Sequence, residues 1–322
     1  MALSGLIADI GATNARFALV GETGVFHEQI LKCRDYQNLA SAARAYIAGQ
    51  GKDVDDITSA AIAVAGPITG DQFAMTNNPW AFSWEETRKA LSLNQLHKFN
   101  DFEAVAMAVP HLKAPTDYRK IGNGLAPKEH APIGVIGPGT GLGVSYLVWG
   151  GNGYIPVAAE GGHVTIPAKT QREFDLFRYL ISEKYSHVSA ERVCSGKGLV
   201  NIYNGLRGMD KRADLPDLTP REITQNAVAQ NCDLCVETLD MMLGFLGRVA
   251  GNLALTVGAL GGIYIAGGIP GHLGDDFDRS RFIAEFTDKG RFSDYMADIP
   301  TYLITNEFPA FVGLHADIIK TK

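Results

Sequence analysis

A turn of small residues near the start of the chain, Asp9-Ile-Gly-Ala-Thr-Asn14, has residue types that could do chemistry. A tight turn of this kind exposes backbone N–H groups, which can cradle phosphate oxygens. Thr13 adds a hydroxyl donor. Asp9 could hold Mg²⁺ directly or through water, because this ion keeps several waters and takes few carboxylates. An ordinary β-hairpin with glycine at positive φ explains the same residues, so the turn alone leaves both interpretations open.

The strongest glycine signal is the segment Gly137 to Gly143, which has four glycines in seven residues. That many glycines cost backbone entropy, so the turn requires close approach of another group or unusual dihedral angles. A Walker A loop would end in Gly-Lys-Ser/Thr, and the dinucleotide fingerprint would need glycine where Leu142 stands, so neither motif fits. Together with the first turn, this segment favours phosphate binding over a flexible surface turn.

Asn100 and Asp101 follow a short predicted strand, Leu96 to Phe99. A carboxylate at the carboxyl end of a strand in an α/β sheet points into the ligand crevice. Asp101 could therefore act as general base for a hydroxyl within hydrogen-bond reach, and Asn100 could bind a neighbouring hydroxyl. The alternative is that Asp101 caps the helix that follows.

Three further polar side chains, those of Glu160, His163 and Glu191, suit the vicinal hydroxyls of a sugar. Each one alone is more often a solvated acid or a structural histidine, and their spacing matches no standard zinc motif. Gly267 and Gly268 end an apolar strand, where a flat ring such as adenine could lie against the backbone. Taken alone, a strand-to-helix turn explains this glycine pair better.

Strands and helices alternate along the chain, which predicts an α/β fold. Asn38 predicts the cap of a helix that runs to Gly49, and Thr219 begins a capping pattern completed by proline and glutamate. The segments around Thr13 and Thr140 are alike: each has an apolar strand, a turn of small residues with threonine at its tip, and a second strand. Two such hairpins predict a duplicated architecture with a ligand between the halves.

The chain of 322 residues is long enough for two domains, since single cores rarely grow far past about 250 residues. Residues 110–132 are rich in Pro, Gly and Lys and predict a domain boundary or a surface excursion. A net charge of −6 without a basic cluster argues against nucleic-acid binding. The chain reaches Asp9 without a basic region and has no run of about 18 apolar residues, so we expect neither a signal peptide nor a membrane span.

Four cysteines are present, at positions 33, 194, 232 and 235. A structural zinc site needs about four ligands, and the Cys232–Cys235 pair has no second pair to complete one. A redox CxxC motif is expected after a strand of a thioredoxin-like unit, whereas this pair lies in a stretch of helical character. We therefore expect a chance pair of helix cysteines in a protein of a reducing compartment.

Taken together, the motifs resemble those of the bacterial glucokinase family, in the hexokinase and actin-like ATPase superfamily. The resemblance covers essentially the whole chain. It rests on DIGATNARFAL (Asp9 to Leu19), GPITGD (Gly66 to Asp71), MTNNPWAFS (Met75 to Ser83), NDFEAVAMA (Asn100 to Ala108), GPGTGLGV (Gly137 to Val144), EGGHV (Glu160 to Val164), HVSAERVCSGKGLVNIY (His187 to Tyr203), AGNLALTVGALGGIYIAGGI (Ala250 to Ile269) and FTDKGRF (Phe286 to Phe292).

The resemblance implies a two-domain α/β fold of the actin-like ATPase (ribonuclease H-like) class, with a ligand cleft between the domains. A small domain would span residues 1–110, with a C-terminal helix of about 301–322 packed on it, and a large domain would span 111–300. Ala12 departs from the family pattern, which often has glycine there; alanine is tolerated if its φ is negative.

The resemblance also implies roles for individual residues. Asp101 is the implied catalytic base. The implied sugar-binding residues are Asn77, Asn100, Asp101, Glu160, His163 and Glu191. The implied nucleotide-binding residues are Asp9, Ile10, Gly11, Ala12, Thr13, Asn14, Gly137, Gly139, Thr140, Gly141, Gly267 and Gly268.

The implied activity is that of a cytoplasmic transferase of glycolysis, a glucokinase that uses ATP and Mg²⁺ to phosphorylate glucose at O6. A homodimer is expected, since two-fold assemblies are common. A kinase for fructose, mannose or an N-acetylhexosamine stays open, because such sugars differ in few groups. A sugar sensor or repressor is disfavoured by Asp101 and by the lack of a helix-turn-helix motif. A polymerising actin-like ATPase would not need Glu160, His163 and Glu191.

Overall fold

The computed structural model describes residues 3–75, 78–278 and 280–320, which form two compact units. Unit 1 comprises Met1–Lys113, Tyr154–Ala158 and Asn306–Lys322, and unit 2 comprises Ala114–Gly153 and Ala159–Thr305. The expected division differs at two segments. Residues 154–158 belong to unit 1, which no local sequence pattern indicates. Residues 301–304 are not helical but form a strand of unit 2, because their backbone pairs with strands on both sides.

The strands of the described residues are numbered in chain order. They are β1 (Leu3–Ile10), β2 (Asn14–Gly21), β3 (Gly24–Lys32), β4 (Ser59–Val64), β5 (Gln72–Ala74), β6 (Ala81–Ser83), β7 (Gln95–Asn100), β8 (Tyr118–Ile121), β9 (Ile133–Pro138), β10 (Leu142–Trp149), β11 (Tyr154–Ala159), β12 (Ile263–Ile265) and β13 (Thr301–Ile304).

The α-helices of the described residues are numbered in the same way. They are α1 (Leu39–Gly49), α2 (Trp84–Ala90), α3 (Asp101–Ala108), α4 (Gln171–Glu183), α5 (Gly196–Met209), α6 (Pro220–Val228), α7 (Asp233–Val257), α8 (Gly268–Leu273), α9 (Asp275–Asp278), α10 (Phe282–Thr287), α11 (Ser293–Asp298) and α12 (Pro309–Lys320). Among the helices described, including the 25-residue α7, none is apolar and long enough for a membrane span.

Each unit is built around one mixed sheet with the same core order. The sheet of unit 1 runs β3-β2-β1-β4-β7, and the second sheet runs β11-β10-β9-β12-β13-β8. In both, an antiparallel hairpin (β1–β2 or β9–β10) is followed by two parallel strands (β4 and β7, or β12 and β13). The predicted duplication is thus confirmed at the level of topology. It places the turn at Thr13 and the turn at Thr140 at matching points of the two sheets.

Local capping chemistry sets the helix starts as predicted. The side chain of Asn38 accepts a hydrogen bond from the Ser41 N–H at 2.9 Å, and the Ser41 hydroxyl accepts one from the Asn38 N–H at 3.1 Å. This reciprocal cap satisfies N–H groups that the first turn leaves unpaired. Helix α1 then runs to Gly49, and Thr219 caps α6 with the same geometry.

Strand β8 lies inside residues 110–132, the segment that was expected to be a domain boundary or a surface excursion. It pairs antiparallel with β13 at the edge of the second sheet. The ring of Tyr118 packs against Tyr264 and Tyr302, with centroid distances of 5.5 and 5.2 Å. A four-residue strand with two charged side chains, Tyr-Arg-Lys-Ile, has too little alternation to be recognised, although charge is usual on edge strands.

A buried ion cluster fixes α7 within unit 2. The Arg248 guanidinium donates to the carboxylates of Glu173 on α4 and Glu285 on α10, at 3.1 Å each. All three side chains are at least nine-tenths buried. Burial raises the pKa of Glu173 and of Glu285, but the hydrogen bonds and charge of nearby cations, including Arg248, outweigh it and hold both pKa values below the usual 4.5.

Candidate active site

The turn between β1 and β2 exposes the hydroxyl-bearing Thr13 at its tip. The Gly11 N–H donates to the Asn14 carbonyl at 3.0 Å, and the Thr13 carbonyl accepts from the Cys33 N–H at 3.0 Å. Ala12 is not among the described non-glycine residues that have a positive φ. Its replacement of the usual glycine is therefore compatible with the backbone of this turn.

Asp9 lies at the end of β1, directly opposite Arg16 on β2. The Arg16 Nη1 donates to the Asp9 Oδ2 at 2.9 Å. Burial raises the pKa of Asp9, and the charge and hydrogen bond of Arg16 offset this shift only in part. The cross-strand pair therefore holds the carboxyl group of Asp9 next to the small-residue turn.

Asn100 and Asp101 lie where β7 meets α3, at the carboxyl end of a parallel strand. The Asn100 Oδ1 accepts from the N–H groups of Phe102 (2.9 Å) and Glu103 (3.3 Å), and its Nδ2 donates to the Gly66 carbonyl at 3.2 Å. The Glu103 carboxylate completes the cap by accepting from the Asn100 N–H. Asn100, and not Asp101, is thus the helix cap.

Asp101 is the first residue of α3 and is half-buried. Its Oδ1 accepts from the N–H of the next residue, Phe102, at 3.0 Å. Because the capping role belongs to Asn100, the helix start does not require a carboxylate at position 101. The predicted sugar contact Asn77 lies outside the described residues.

In unit 2, the glycine-rich turn between β9 and β10 is held by Glu191. The Glu191 Oε2 accepts from the Leu142 N–H at 3.0 Å, and a Cβ on Gly141 would lie 2.4 Å from the same oxygen. The Gly139 carbonyl accepts from the N–H of Gly196, at the start of α5, at 2.9 Å. The close approach of Glu191 therefore explains the glycine at position 141. Close approach was one of the two reasons that the sequence suggested for these glycines.

Glu160 and His163 flank a short 3-10 turn that follows β11. Both side chains are more than half exposed, and the His163 Nε2 lies 3.8 Å from the Glu160 Oε2. A Cβ on Gly162 would lie 2.2 Å from the Leu142 carbonyl oxygen, so this turn requires glycine to pack against the start of β10. The Leu142 N–H thus donates a hydrogen bond to Glu191, and the Leu142 carbonyl packs against the turn that contains Glu160 and His163.

Gly267 lies between β12 and α8 and has a φ of 97°, a value that side-chain-bearing residues rarely adopt. A Cβ there would lie 2.3 Å from the Pro138 carbonyl oxygen, within the glycine-rich turn. Gly267 is therefore packed against Pro138, where the glycine-rich turn begins, as a shared ligand contact would require.

A cavity of about 880 Å³ opens beside this turn, entirely within unit 2. Its lining residues come from the glycine-rich turn and from α5, α6 and α8, with the residue after α6: Gly139, Thr140, Gly196, Lys197, Pro220, Arg221, Thr224, Gln225, Val228, Ala229, Gly268, Ile269 and His272. The volume suits a small-molecule ligand.

Two cationic side chains that line this cavity are not among the predicted site residues. Whereas Arg172, Arg207 and Arg248 are paired, Lys197 and Arg221 make no hydrogen bond or ion pair with any described residue. They lie at the starts of α5 and α6, and only the fold brings these starts together. Ser195-Gly-Lys-Gly198 was the available signal, because small residues around a lysine are frequent in phosphate-binding loops.

The predicted residues therefore form two groups, one in each unit. Unit 1 has Asp9, the turn Ile10 to Asn14, Asn100 and Asp101. Unit 2 has the glycine-rich turn, Glu160, His163, Glu191 and the pair Gly267–Gly268.

Comparison with known proteins identifies the family to which this chain belongs. A family model described as Glucokinase matches residues 6–320. A curated glucokinase of Aromatoleum aromaticum is 46% identical over 312 residues, which are 96% of this chain and 92% of that protein. A curated glucokinase of Paramagnetospirillum magneticum is 45% identical over 311 residues, which are 96% of this chain and 95% of that protein.

A solved structure of a glucokinase from an Antarctic psychrotroph is 35% identical and superposes with a TM-score of 0.83, covering 98% of both chains. Its likeness confirms the predicted fold class. On the match of the family model and of both relatives along nearly the whole length, this chain belongs to the Glucokinase family.

Proposed function

We propose that this protein transfers the γ-phosphoryl group of ATP to O6 of D-glucose, which yields glucose 6-phosphate and ADP. Membership of the Glucokinase family supports the reaction class. The observation that carries the proposal for this chain is the position of Asp101. It is a half-buried carboxylate at the carboxyl end of a parallel strand, and its helix is capped by another residue.

Asp101 acts as the general base in this proposal. It accepts the proton of the sugar O6 hydroxyl while O6 forms a bond to the γ-phosphorus, and the bond from that phosphorus to the β,γ-bridging oxygen breaks to release ADP. Such transfer depends on positioning and charge stabilisation more than on covalent catalysis. The β7–α3 junction, fixed by the Asn100 cap, supplies the positioning.

Glu160, His163 and Glu191 bind sugar hydroxyls. Two carboxylates and an imidazole supply acceptors together with a mixed donor–acceptor, as vicinal hydroxyls require. Glu191 accepts a hydrogen bond from the Leu142 N–H, and the turn that carries Glu160 and His163 packs against the Leu142 carbonyl through Gly162, which supports a single ligand for the group. Asn100 and Asn77 are proposed to complete the sugar contacts, the latter from the family resemblance alone.

The cavity of unit 2 binds the nucleotide. Gly139 and Thr140 line it at the glycine-rich turn, where the resemblance implies phosphate contacts, and Gly268 lines it as the adenine hypothesis requires. Lys197 and Arg221 pair with no acceptor among the residues that the structure describes, and unpaired cations on a cavity suit a polyanionic ligand. On the family resemblance alone, Thr13, Asn14 and the backbone from Asp9 to Ala12 are also proposed as phosphate contacts.

Mg²⁺ fits the residues present without a preformed cage. Among the described residues, no three or more His, Cys, Asp or Glu side chains gather as a metal site. A magnesium ion bound mainly by phosphate oxygens and water needs only one or two carboxylates, and Asp9 beside the turn offers one, directly or through water. The ion would neutralise charge on the β- and γ-phosphates.

We also propose a homodimer that acts in the cytoplasm, in glycolysis. The four free cysteines suit a reducing compartment, and two-fold assemblies are common. Equilibrium sedimentation of the full chain tests the dimer, and a monomer at micromolar concentration would contradict it.

The reaction is tested by ADP release with MgATP and each of glucose, mannose, fructose, N-acetylglucosamine or no sugar. We expect turnover with glucose to exceed the others, and a coupled glucose 6-phosphate dehydrogenase assay to identify the product. Turnover with another hexose alone would establish the second candidate, a different hexose kinase on the same fold. Absence of sugar-dependent turnover would overturn the kinase proposal.

A further inference from the structure

The Cys232–Cys235 pair lies at the start of the longest helix, α7. Cys232 has extended backbone and is the N-cap, and Cys235 is the third helical residue. The Cys235 N–H donates to the Cys232 Sγ at 3.4 Å. The two cysteines are thus neighbours across one helical turn, and Cys232 is not a residue within the helix, contrary to the expectation from the sequence.

The two sulfurs differ in their surroundings. Cys232 is half-buried and Cys235 is buried. Burial, with a hydrogen bond to Cys232, raises the pKa of the Cys235 thiol to about 12. At neutral pH Cys235 is therefore protonated, and the more accessible Cys232 is the sulfur that a reagent in solution meets first. Cys33 and Cys194 are almost completely buried, as is Cys235, so Cys232 is the most accessible of the four thiols.

The pair is linked directly to a wall of the cavity. Helix α6 ends at Val228, and Val228 and Ala229 both line the cavity. Only Gln230 and Asn231 separate Ala229 from Cys232. The Gln230 backbone has a φ of 54°, and the Asn231 N–H donates to the Asn226 carbonyl at 3.0 Å. Because the connection Gln230–Asn231 is short and its backbone is conformationally restricted, a displacement of Cys232 also moves the end of α6.

We propose that Cys232 and Cys235 form a reversible thiol–disulfide site, which low-molecular-weight disulfides oxidise and whose oxidation displaces the α6 wall of the cavity. Cys232, as thiolate, attacks one sulfur of the reagent and releases one thiolate. Cys235 loses its proton to solvent, and its sulfur attacks the Cys232 Sγ and releases the second thiol. Two protein thiols are oxidised to one disulfide, and the reagent disulfide is reduced to two thiols.

Bond formation changes the helix start. The two sulfurs must approach to about 2.0 Å with a defined dihedral angle, so the Cys232 Sγ leaves its position over the Cys235 N–H. Because Cys235 is anchored in the core, the movement falls on Cys232 and on the connection to α6. We expect weaker nucleotide binding in the oxidised protein, an effect that rests on the proposed nucleotide assignment.

The chemistry is tested on the full chain equilibrated with mixtures of reduced and oxidised glutathione, then alkylated and digested with trypsin. Residues 222–248 form one peptide that contains both cysteines and no other. We expect this peptide to change from doubly alkylated to unalkylated and two hydrogen masses lighter, reversibly with dithiothreitol. A peptide that stays doubly alkylated in the most oxidising mixture would overturn the proposal.

The coupling is tested by the KM for ATP of the reduced and oxidised protein and by calorimetric binding of a non-hydrolysable ATP analogue. We expect at least about a fivefold weakening on oxidation. Cys232→Ser keeps an N-cap acceptor and Cys235→Ala removes the second sulfur, so neither variant should respond to glutathione disulfide. An equal response of wild type and variants, or disulfide formation without change in nucleotide affinity, would refute the link to the cavity. If the protein proves to have no kinase activity, peptide mapping and calorimetry still test the disulfide and its effect on nucleotide binding.

Discussion

The cap of α3 by Asn100 should set both the stability of unit 1 and the position of the catalytic base. Asn100→Ala removes the acceptor of two helix N–H groups and the donor to the Gly66 carbonyl. Loss of an N-cap costs about 1 kcal/mol, and loss of a side-chain hydrogen bond about 1 kcal/mol more. We therefore expect the free energy of unfolding to fall by about 2 kcal/mol.

Asn100→Ser separates the two contributions because serine keeps a cap acceptor but lacks the amide donor. We expect this variant to lose about half as much stability, about 1 kcal/mol. The kcat should fall further in Asn100→Ala, since Asp101 is the first residue of the uncapped helix. The KM for glucose should rise in both variants to a similar extent, because both lack the amide proposed to bind a hydroxyl.

The assay combines urea denaturation with steady-state kinetics of the full chain. Asn38→Ala is the matched control, since it removes an N-cap of the same chemistry from α1. It should lose about 1 kcal/mol of stability with an unchanged kcat. Equal stability and equal kcat in Asn100→Ala and Asn100→Ser would refute the claim that the cap positions the base.

Three other outcomes follow from described contacts. Arg248→Met leaves two buried carboxylates without their partner and should lower the free energy of unfolding by about 3–5 kcal/mol in urea titrations; a loss below about 1 kcal/mol would contradict this. Because the folded-state pKa of Glu285 is depressed, its stabilisation is present above pH 4.5 and is lost as pH falls through the folded value. The melting temperature should thus fall below pH 4.5, less steeply in Glu285→Gln, and parallel curves would refute it. Gly267→Ala should weaken nucleotide binding and stability, while Gly271→Ala, where a Cβ meets open space, should weaken neither.

Local patterns predicted those parts of the fold that depend on neighbours in sequence. The cap at Asn38 and the end of helix α1 at Gly49 were predicted correctly, because capping is a local property. Strand β8 was missed, because its place is set by pairing with β13, about 180 residues later in the chain. Pairing at the edge of a sheet imposes no recognisable pattern on the sequence of a four-residue strand.

In the candidate site, too, local motifs predicted some residues, and contacts between distant parts of the chain determine the others. Motifs indicated Asp101 and the glycine-rich turn, since a strand end and a glycine excess can be recognised locally. The sequence could not show that Glu191 binds the Leu142 N–H, because the two are 49 residues apart. Nor could it show that Lys197 and Arg221 line one cavity, because each alone resembles an ordinary surface cation.

The role of Asp101 is the central claim, and Asp101→Asn tests it most directly. The variant keeps the size of the side chain and removes the base. We expect kcat with glucose and MgATP to fall by about 10³-fold, with glucose affinity by calorimetry nearly unchanged. Asp233→Asn, at the same first position of α7, should retain the wild-type kcat. An Asp101→Asn variant with near-normal kcat would contradict the proposed mechanism.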